Sequence, residues 1–440
     1  MPDLGDFIPE RNETVEAIYA HYKKCGDAEP SRGYLGASII GSPCDRFLWF
    51  CFRDCCRGEF NGRMYRLLET GDIEEPRLAN NLTSIGCEVH THDENGEQFS
   101  VSAFGGHFSG HLDAAILRVP EALKTWHVGE FKTHSDKNFR KLAKHGVKSG
   151  YPRHYCQMLS YMHLSGMTRA LYVAANKNTD ELYTERIRYD KREAELLMDR
   201  IERIIMAQSP PKRLSDRPDW WQCRFCDAKD FCFGSVAPNP VLHVPTLSCR
   251  QCCYATPVMD GVDGRWVCEK RGKALSRADQ LKPCDNHLTL PGLLPQFPHV
   301  ECTSDESGND CIVFSDDGGG KFKHGKGTGK FSSEELTVLP APLLMNAMVT
   351  RAKDVFDGTA TACCEDILDR YPAEECEILW RGNISGLMEA LVSQLGHPFA
   401  DDDIIARTSL PTHCVAEYEG GIIAIAYLDT KRAEIRKGKT

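Results

Sequence analysis

No stretch of these 440 residues approaches the roughly 18–20 consecutive apolar residues of a membrane-spanning helix; the longest candidate, Gly421 to Leu428, is far too short. The opening residues, Met-Pro-Asp-Leu-Gly-Asp, lack the basic region and apolar core of a secretory leader, so a soluble, cytoplasmic protein is expected. Excess positive charge is missing too. Lys and Arg number 53 against 63 Asp and Glu, a balance of −10, where nucleic-acid binders usually carry a basic surface. The deficit is local: residues 301–440 hold 24 acidic and 14 basic residues, whereas residues 1–300 hold 39 of each. A complete phosphate loop is also absent. Gly325-Lys-Gly-Thr-Gly-Lys330 is one residue short, and Phe331 stands where Ser or Thr is required. Starting from Gly320 restores the spacing but puts Gly327 at the hydroxyl position. With no convincing strand ahead of it, this stretch reads as a loop.

Cysteine is not scarce. A cytoplasmic chain with 21 cysteines argues against disulfides and for metal or cluster ligation. At 41% hydrophobic residues the chain has enough apolar mass for two or three domains.

Hydrophobic periodicity predicts a helix over Asn61 to Asn81, kinked or divided by Pro76. Alternating, β-rich segments follow at Gly86–His92, Phe99–Phe104, Gly110–Arg118 and Trp126–Thr133. Lys137 to Leu164 reads as helical with a break near Gly150-Tyr-Pro152. Leu171–Asn176 and Leu182–Tyr189 read as strands, and Arg192 to Gln208 as an amphipathic helix. Pro238 to Thr246 reads as a linker, Cys249 to His287 as a cysteine-rich unit, and Thr303 to Ser333 as a flexible connector rich in Gly, Ser, Asp and Lys.

The most informative chemistry lies in Asp113, Glu130 and Lys132. Side chains alternate along a strand, so in Val128-Gly-Glu-Phe-Lys-Thr133 the residues Glu130 and Lys132 share one face and Phe131 points the other way. Two carboxylates from neighbouring strands suit Mg²⁺ or Mn²⁺, which takes few protein oxygens and keeps several waters. The lysine can then orient a water or steady a phosphate oxygen. Gln157 and Tyr161, four apart, share a helix face. Lys137, Lys141, Lys144 and Lys148, with Arg140 alongside, follow helical spacing and form a basic stripe directly after this strand. Such a stripe suits a nucleic-acid backbone, although a solvated helix face gives the same pattern.

An acidic helix around Gly71-Asp-Ile-Glu-Glu75, then Asp113, then Glu130-x-Lys132, then Gln157-x3-Tyr161, in this order, resembles the PD-(D/E)XK nuclease superfamily. It is most similar to phage lambda-type recombination exonucleases and to the iron–sulfur nucleases of CRISPR adaptation and of RecB-like helicase–nucleases. The likeness covers about residues 35–235. His111-Leu-Asp113 lacks the proline that names the superfamily. The resemblance implies an α/β fold: a central mixed sheet flanked by helices, spanning residues 1–236. A cysteine-rich metal-binding module (247–290), the connector (303–333) and an acidic C-terminal α/β region (335–440) would follow it. It implies a Mg²⁺- or Mn²⁺-dependent deoxyribonuclease, with Asp113, Glu130 and the Phe131 carbonyl as ligands. Glu75, with Glu74 as its neighbour and competitor, is the carboxylate for a second ion. Gln157 and Tyr161 would face the site. DNA is the expected substrate, end resection in recombination or phage replication the expected role, and a single-strand annealing protein a natural partner. A structure- or single-strand-specific endonuclease and a catalytically silent DNA-binding scaffold are the alternatives.

Two cysteine sets complete the reading. Cys223-Arg-Phe-Cys226 with Cys232 gives three thiols, and the resemblance supplies Cys44 as the fourth, with Cys51, Cys55 and Cys56 as alternatives. Four thiolates suit a [4Fe–4S] cluster or tetrahedral Zn²⁺ equally, and the family likeness favours the cluster. Cys249, Cys252, Cys268 and Cys284 form the second set, with Cys253 and His287 as possible replacements. A segment this short needs added stability; Zn²⁺ is the plain expectation, with a second cluster as the alternative.

Overall fold

A computed structural model of the chain describes residues 12–29, 31–56, 58, 60–234, 239–305, 308–356, 359, 368, 371–373, 375–397, 404–409, 413–428 and 430–438. The N-terminal residues read for a leader, and Pro238 of the linker, lie outside this set. The chain divides into two compact units, one of residues 1–234 with 243–295, the other of residues 235–242 with 296–440.

The first unit is a mixed α/β assembly. In chain order it contains α1 (Glu13–Asp27), β1 (Leu35–Gly36), α2 (Asp45–Phe52), α3 (Gly62–Ser84), β2 (Glu88–His90), β3 (Ser100–Ala103), β4 (Phe108–His111), β5 (Ala114–Leu117) and β6 (His127–His134). α4 (Asp136–Gly150), α5 (Pro152–Ser165), β7 (Arg169–Asn176), β8 (Leu182–Arg188), α6 (Lys191–Met206) and α7 (Lys229–Phe233) follow. The main sheet has the order β2-β5-β6-β7-β8 and is antiparallel except for the parallel β6–β7 pair. A parallel pair needs a long crossover, and α4 with α5 provides it.

α3 starts at Asn61, whose side chain accepts from Met64 N at 2.9 Å. Pro76 does not divide the helix, which runs from Gly62 to Ser84; the proline removes the N–H that would reach the Asp72 carbonyl. Leu78, Ala79 and Leu82 of α3 pack with Phe131 of β6, Leu171 and Val173 of β7, and Ala114 and Ile116 of β5. This core covers one face of the sheet. The expected strand Gly110–Arg118 is divided: Gly110 and His111 end β4 in a second sheet, Ala114 begins β5, and Asp113 sits at the junction.

Residues 243–295 do not form a separate body. Their small sheet, β9 (Ala255–Pro257), β10 (Trp266–Cys268) and β11 (Lys273–Leu275), belongs to the first unit. Arg53 is wholly buried; its Nη1 donates to the Arg250 and Ala255 carbonyls, both at 3.1 Å, and its guanidinium lies 4.9 Å from the Trp266 ring centre. Phe52 stacks on Trp266 at 5.2 Å, and His107 Nε2 lies 3.0 Å from both the Val258 and Arg265 carbonyl oxygens. Gly105 has φ 67°, and a Cβ there would stand 2.4 Å from Val258 O, so the contact requires glycine. The module read as 247–290 is therefore an integral part of this unit.

In the second unit, the stretch expected to be a flexible connector instead folds. β12 (His299–Ser304), β13 (Asp310–Ser315) and β14 (Lys321–Gly325) form an antiparallel sheet. The Gly- and Asp-rich residues lie in its turns, while Phe314 and Phe322 stack at 5.2 Å beneath Phe297. Val241 and Leu242 of the expected linker are buried here and bond to the Leu339 and Leu336 carbonyls. A strand does precede Gly325, contrary to expectation, yet no phosphate loop results: Lys330 is buried and bonds Asp305 Oδ2 at 2.5 Å. Further on, β15 (Cys376–Asn383), β16 (Ile404–Ser409), β17 (His413–Tyr418), β18 (Ile422–Tyr427) and β19 (Arg432–Gly438) form an antiparallel sheet in the order β15-β19-β18-β17-β16. The helix Leu387–Leu395 packs Leu391 against Tyr418, Ile422 and Ile435 of that sheet. Among the described residues no helix is long and apolar enough to cross a membrane.

Candidate active site

β6 and β5 position the acids. Phe131 enters the core shared with α3, so strand alternation turns Glu130 and Lys132 to the opposite face, towards α5. Asp113, just before β5, is fixed by the strand next door: Phe131 N donates to its Oδ2 at 2.7 Å. Lys132 Nζ then lies 2.6 Å from Glu130 Oε1 and 3.5 Å from Asp113 Oδ2, and donates to the Phe131 carbonyl at 2.8 Å. The structure thus brings Asp113, Glu130, Phe131 O and Lys132 together.

Glu130 is fully buried and its Oε2 has no hydrogen-bond partner. A buried, unsatisfied carboxylate oxygen beside further acids calls for a cation or a proton. Burial pushes the Glu130 carboxyl up to about 7, with Lys132 opposing and Asp113 adding to the rise. Glu75 on α3 is likewise pushed up to about 7, first by burial, then by the charge of Asp113, with Lys132 opposing. Glu75 therefore shares the field of the other two acids. Glu74, the competitor, pairs instead with Arg77 at 3.3 Å. Burial alone would lower Lys132, but Glu130 and Asp113 outweigh it and hold the ammonium charged.

α5 covers this face. Gln157 and Tyr161 are buried, and Gln157 Nε2 donates to Tyr161 Oη at 3.2 Å. Burial first, then the charge of Glu130, raises the Tyr161 hydroxyl well above its ordinary value. Gly110 leaves room for that ring, since a Cβ there would lie 2.6 Å from Tyr161 Cε1 and 2.7 Å from its Oη.

An aromatic ladder beside the site was not foreseen. The Tyr172 hydroxyl lies 2.8 Å from His134 Nε2 and 2.9 Å from His154 Nδ1, so it donates to one ring and accepts from the other. Tyr151 stacks on His154 at 5.2 Å. Burial, with Lys132 nearby, lowers His134 to about 4 and His154 to about 3. His134 repeats the spacing of Glu130 and Lys132, which was a usable signal. Tyr172 faces Glu130 only through the parallel register, which no short-range pattern reveals.

The basic stripe is only partly present. Lys137, Arg140, Lys141 and Lys144 are exposed on α4, with Arg140 paired to Asp136 at 2.9 Å and Lys141 4.9 Å from the Tyr151 ring centre. Gly146, at φ 66° and ψ 177°, breaks the helix geometry. Lys148, beyond it, binds Glu193 at 2.7 Å and so leaves the stripe.

Cys44, Cys223, Cys226 and Cys232 line one cavity of about 740 Å³. Cys44 caps α2, accepting from Phe47 N at 3.4 Å; burial raises the other three thiols, and the nearness of Cys44 adds to the rise of each. Among its alternatives, Cys55 is fully buried and Cys51 and Cys56 sit 3.5 Å apart, Sγ to Sγ, off the cavity wall. Cys249, Cys252, Cys268 and Cys284 line a second, small hollow with Lys270 and Arg271. Cys253 Sγ instead reaches the Thr289 carbonyl at 3.5 Å, and His287 the Ser248 carbonyl at 2.9 Å. Burial raises Cys226 to about 11 and Cys249 to about 12, so without a metal these thiols stay protonated. Among the described residues, no three His, Cys, Asp or Glu side chains are arranged so that they could hold a metal ion.

No family model matches the sequence, and no curated protein matches it. Among solved structures, that of SSO0001 aligns with 52% of this chain and 100% of its own at 16% identity and a TM-score of 0.30. An alkaline exonuclease from Laribacter hongkongensis, LHK-Exo, aligns over 43% of this chain and 90% of its own at 13% identity, with TM-scores of 0.26 alone and 0.27 in complex with dAMP. Likenesses this weak assign no activity, and the chemistry rests on the residues themselves.

Proposed function

We propose that the chain is a divalent-metal-dependent nuclease of the PD-(D/E)XK type, acting from DNA ends. One observation carries this reading: Glu130, buried with an unsatisfied oxygen, stands beside Asp113 and Lys132 and shares its field with Glu75. The donor set is all oxygen, which fits Mg²⁺ or Mn²⁺. Glu75, Asp113, Glu130 and the Phe131 carbonyl would hold the ion. When bound, it supplies Lewis acidity towards the scissile phosphate and lowers the pKa of the attacking water.

The chain's own groups do the rest. Lys132, kept charged by two acids, places a positive charge where negative charge builds on the phosphate oxygens. Gln157 and Tyr161 close the α5 side and restrict the positions open to water. Asp113, tied to the β6 backbone, holds its carboxylate in register with Glu130. Lys137, Lys141 and Lys144 would bind the phosphate backbone leading to the site. Cys44, Cys223, Cys226 and Cys232 would hold a [4Fe–4S] cluster or Zn²⁺, and Cys249, Cys252, Cys268 and Cys284 would hold Zn²⁺, both structural.

End-labelled linear DNA, incubated with Mg²⁺ and then with chelator, tests the activity. Cleavage is expected only with Mg²⁺, on linear and not on covalently closed circular DNA. Asp113→Ala and Glu130→Ala should each lower it about a thousandfold or more, the several kcal/mol of cation stabilisation expressed as rate. Undiminished cleavage by either variant would remove these residues from the mechanism.

A further inference from the structure

The cavity that carries Cys44, Cys223, Cys226 and Cys232 extends well past those thiols, to Gly150–His154 on one side and to Trp221 and Phe225 on the other. At about 740 Å³ it falls in the range of small-molecule sites, roughly 300–1,000 Å³. Its rim carries two large aromatic rings facing solvent: Trp221 is 71% exposed and Phe225 83%. Rings this exposed add nothing to a core; one alone would be ordinary, but two in one short loop beside a cavity make an exposed apolar patch. The charge of the lining is one-sided. Arg153, Arg213 and Lys229 face one carboxylate, Asp227. Arg153 is exposed and pairs with no carboxylate among the described residues. Tyr151 and His154 form another part of the wall, and they are the outer rungs of the ladder that reaches Tyr172 and His134 on the strands of the candidate active site. Lys141, from the basic stripe, sits over Tyr151.

Flat exposed rings next to guanidinium groups match one polymer: single-stranded nucleic acid, whose bases stack on aromatic faces while its phosphates meet cations. A duplex hides its base faces and cannot use such rings. We propose that this cavity seats a single strand of the nucleic acid, with bases stacked on Trp221 and Phe225 and phosphates held by Arg153 and Arg213. The proposal rests on the nuclease reading for its biological sense, because it places a strand one helical turn of α5 from Gln157. Its physical content is independent of hydrolysis.

The test is binding of fluorescein-labelled 20-mers to the full chain by fluorescence anisotropy, with no divalent cation added so that no cleavage occurs. The probes are oligo-dT, oligo-rU and a blunt DNA duplex. The Trp221→Ala/Phe225→Ala double variant is expected to bind the preferred single strand about tenfold more weakly or worse, and to bind the duplex within about twofold of the unaltered protein. Arg153→Gln should weaken single-strand binding and flatten its dependence on salt. The tighter of oligo-dT and oligo-rU identifies the natural strand. Both rings and Arg153 are exposed, so unfolding midpoints should not move, and Arg153→Gln gives an answer even if the double variant disturbs the cysteines. Single-strand binding within twofold in both variants, or an equal loss for the duplex, overturns the proposal. Asp113→Ala separates the two readings: it should lose cleavage yet keep oligonucleotide binding. Cleavage surviving in Asp113→Ala would sink the nuclease mechanism and leave the cavity assignment standing.

Discussion

Lys132 pairs with one oxygen of Glu130 and leaves the other, buried Oε2 open to a proton or a divalent cation, a competition that is measurable. The Glu130 carboxyl and that of Glu75 are both pushed up to about 7 from an ordinary 4.5. An acid with a raised folded pKa stabilises the fold below its unfolded value and loses that contribution as pH rises through the folded one. Without a divalent ion, both groups therefore weaken the fold progressively between pH of about 4.5 and 7. A bound ion needs the ionised forms, so its stabilisation grows over the same interval. Millimolar Mg²⁺ should raise the unfolding midpoint clearly at pH 8 and little at pH 5.5, as read by scanning fluorimetry. Glu130→Gln should abolish that difference. A Mg²⁺ shift of equal size at both pH values would show that these acids are not its ligands. Lys132 makes a different kind of point. Its two acidic neighbours hold it charged, so Lys132→Gln should reduce cleavage across the whole working pH range and leave the Mg²⁺ midpoint shift in place.

At the level of elements, β6 and α5 were legible because their signals are local. Alternation on one strand separates Glu130 and Lys132 from Phe131, and four-residue spacing places Gln157 with Tyr161. The break at Gly150-Tyr-Pro152 was legible for the same reason: proline at the first turn of α5 starts a helix well and continues one badly. α4 shows where local periodicity misleads. Lys148 has the correct spacing for the stripe, but Gly146 takes a left-handed φ and turns the last residues towards Glu193. Nothing short of the folded backbone announces that turn. The two groups of lysines should separate in a binding experiment. Replacing Lys137, Lys141 and Lys144 with Gln should weaken DNA binding and reduce the salt slope by about one for each phosphate no longer neutralised. Lys148→Gln should leave both unchanged while costing a small part of a salt-bridge's stability, about 0.2–1 kcal/mol for an exposed pair. An equal effect on DNA affinity from Lys148→Gln would restore the longer stripe.

Across the whole molecule, the boundaries hidden from local patterns share one cause: the partners that decide them are remote in sequence. Gly, Ser and Asp between residues 303 and 333 look like a tether until Phe297 and Phe322 are seen packed together around Phe314. Residues 247–290 look self-contained until Arg53 and His107 are found to supply what that segment lacks. Arg53 is the sharper case. Its buried guanidinium bonds the Arg250, Ala255 and Ala207 carbonyls, so it joins the cysteine-rich sheet to the end of α6. Removing it strands three buried acceptors and leaves a cavity. Arg53→Ala should therefore cost several kcal/mol, about 1–3 for each buried acceptor left unpaired, with the cavity added. If the cysteine-rich segment were an independent module, that loss would loosen its attachment and leave its own protection from hydrogen exchange intact. Because β9 to β11 share a core with Phe52 and His107, the expected outcome is loss of protection in residues 249–290 together with α2 and β4, in one transition. If Cys249, Cys252, Cys268 and Cys284 hold the proposed Zn²⁺, a strong chelator should produce the same joint pattern, because Trp266 of this segment stacks on Phe52. Exchange confined to residues 249–290 after either treatment would show two cooperative bodies where the packing shows one.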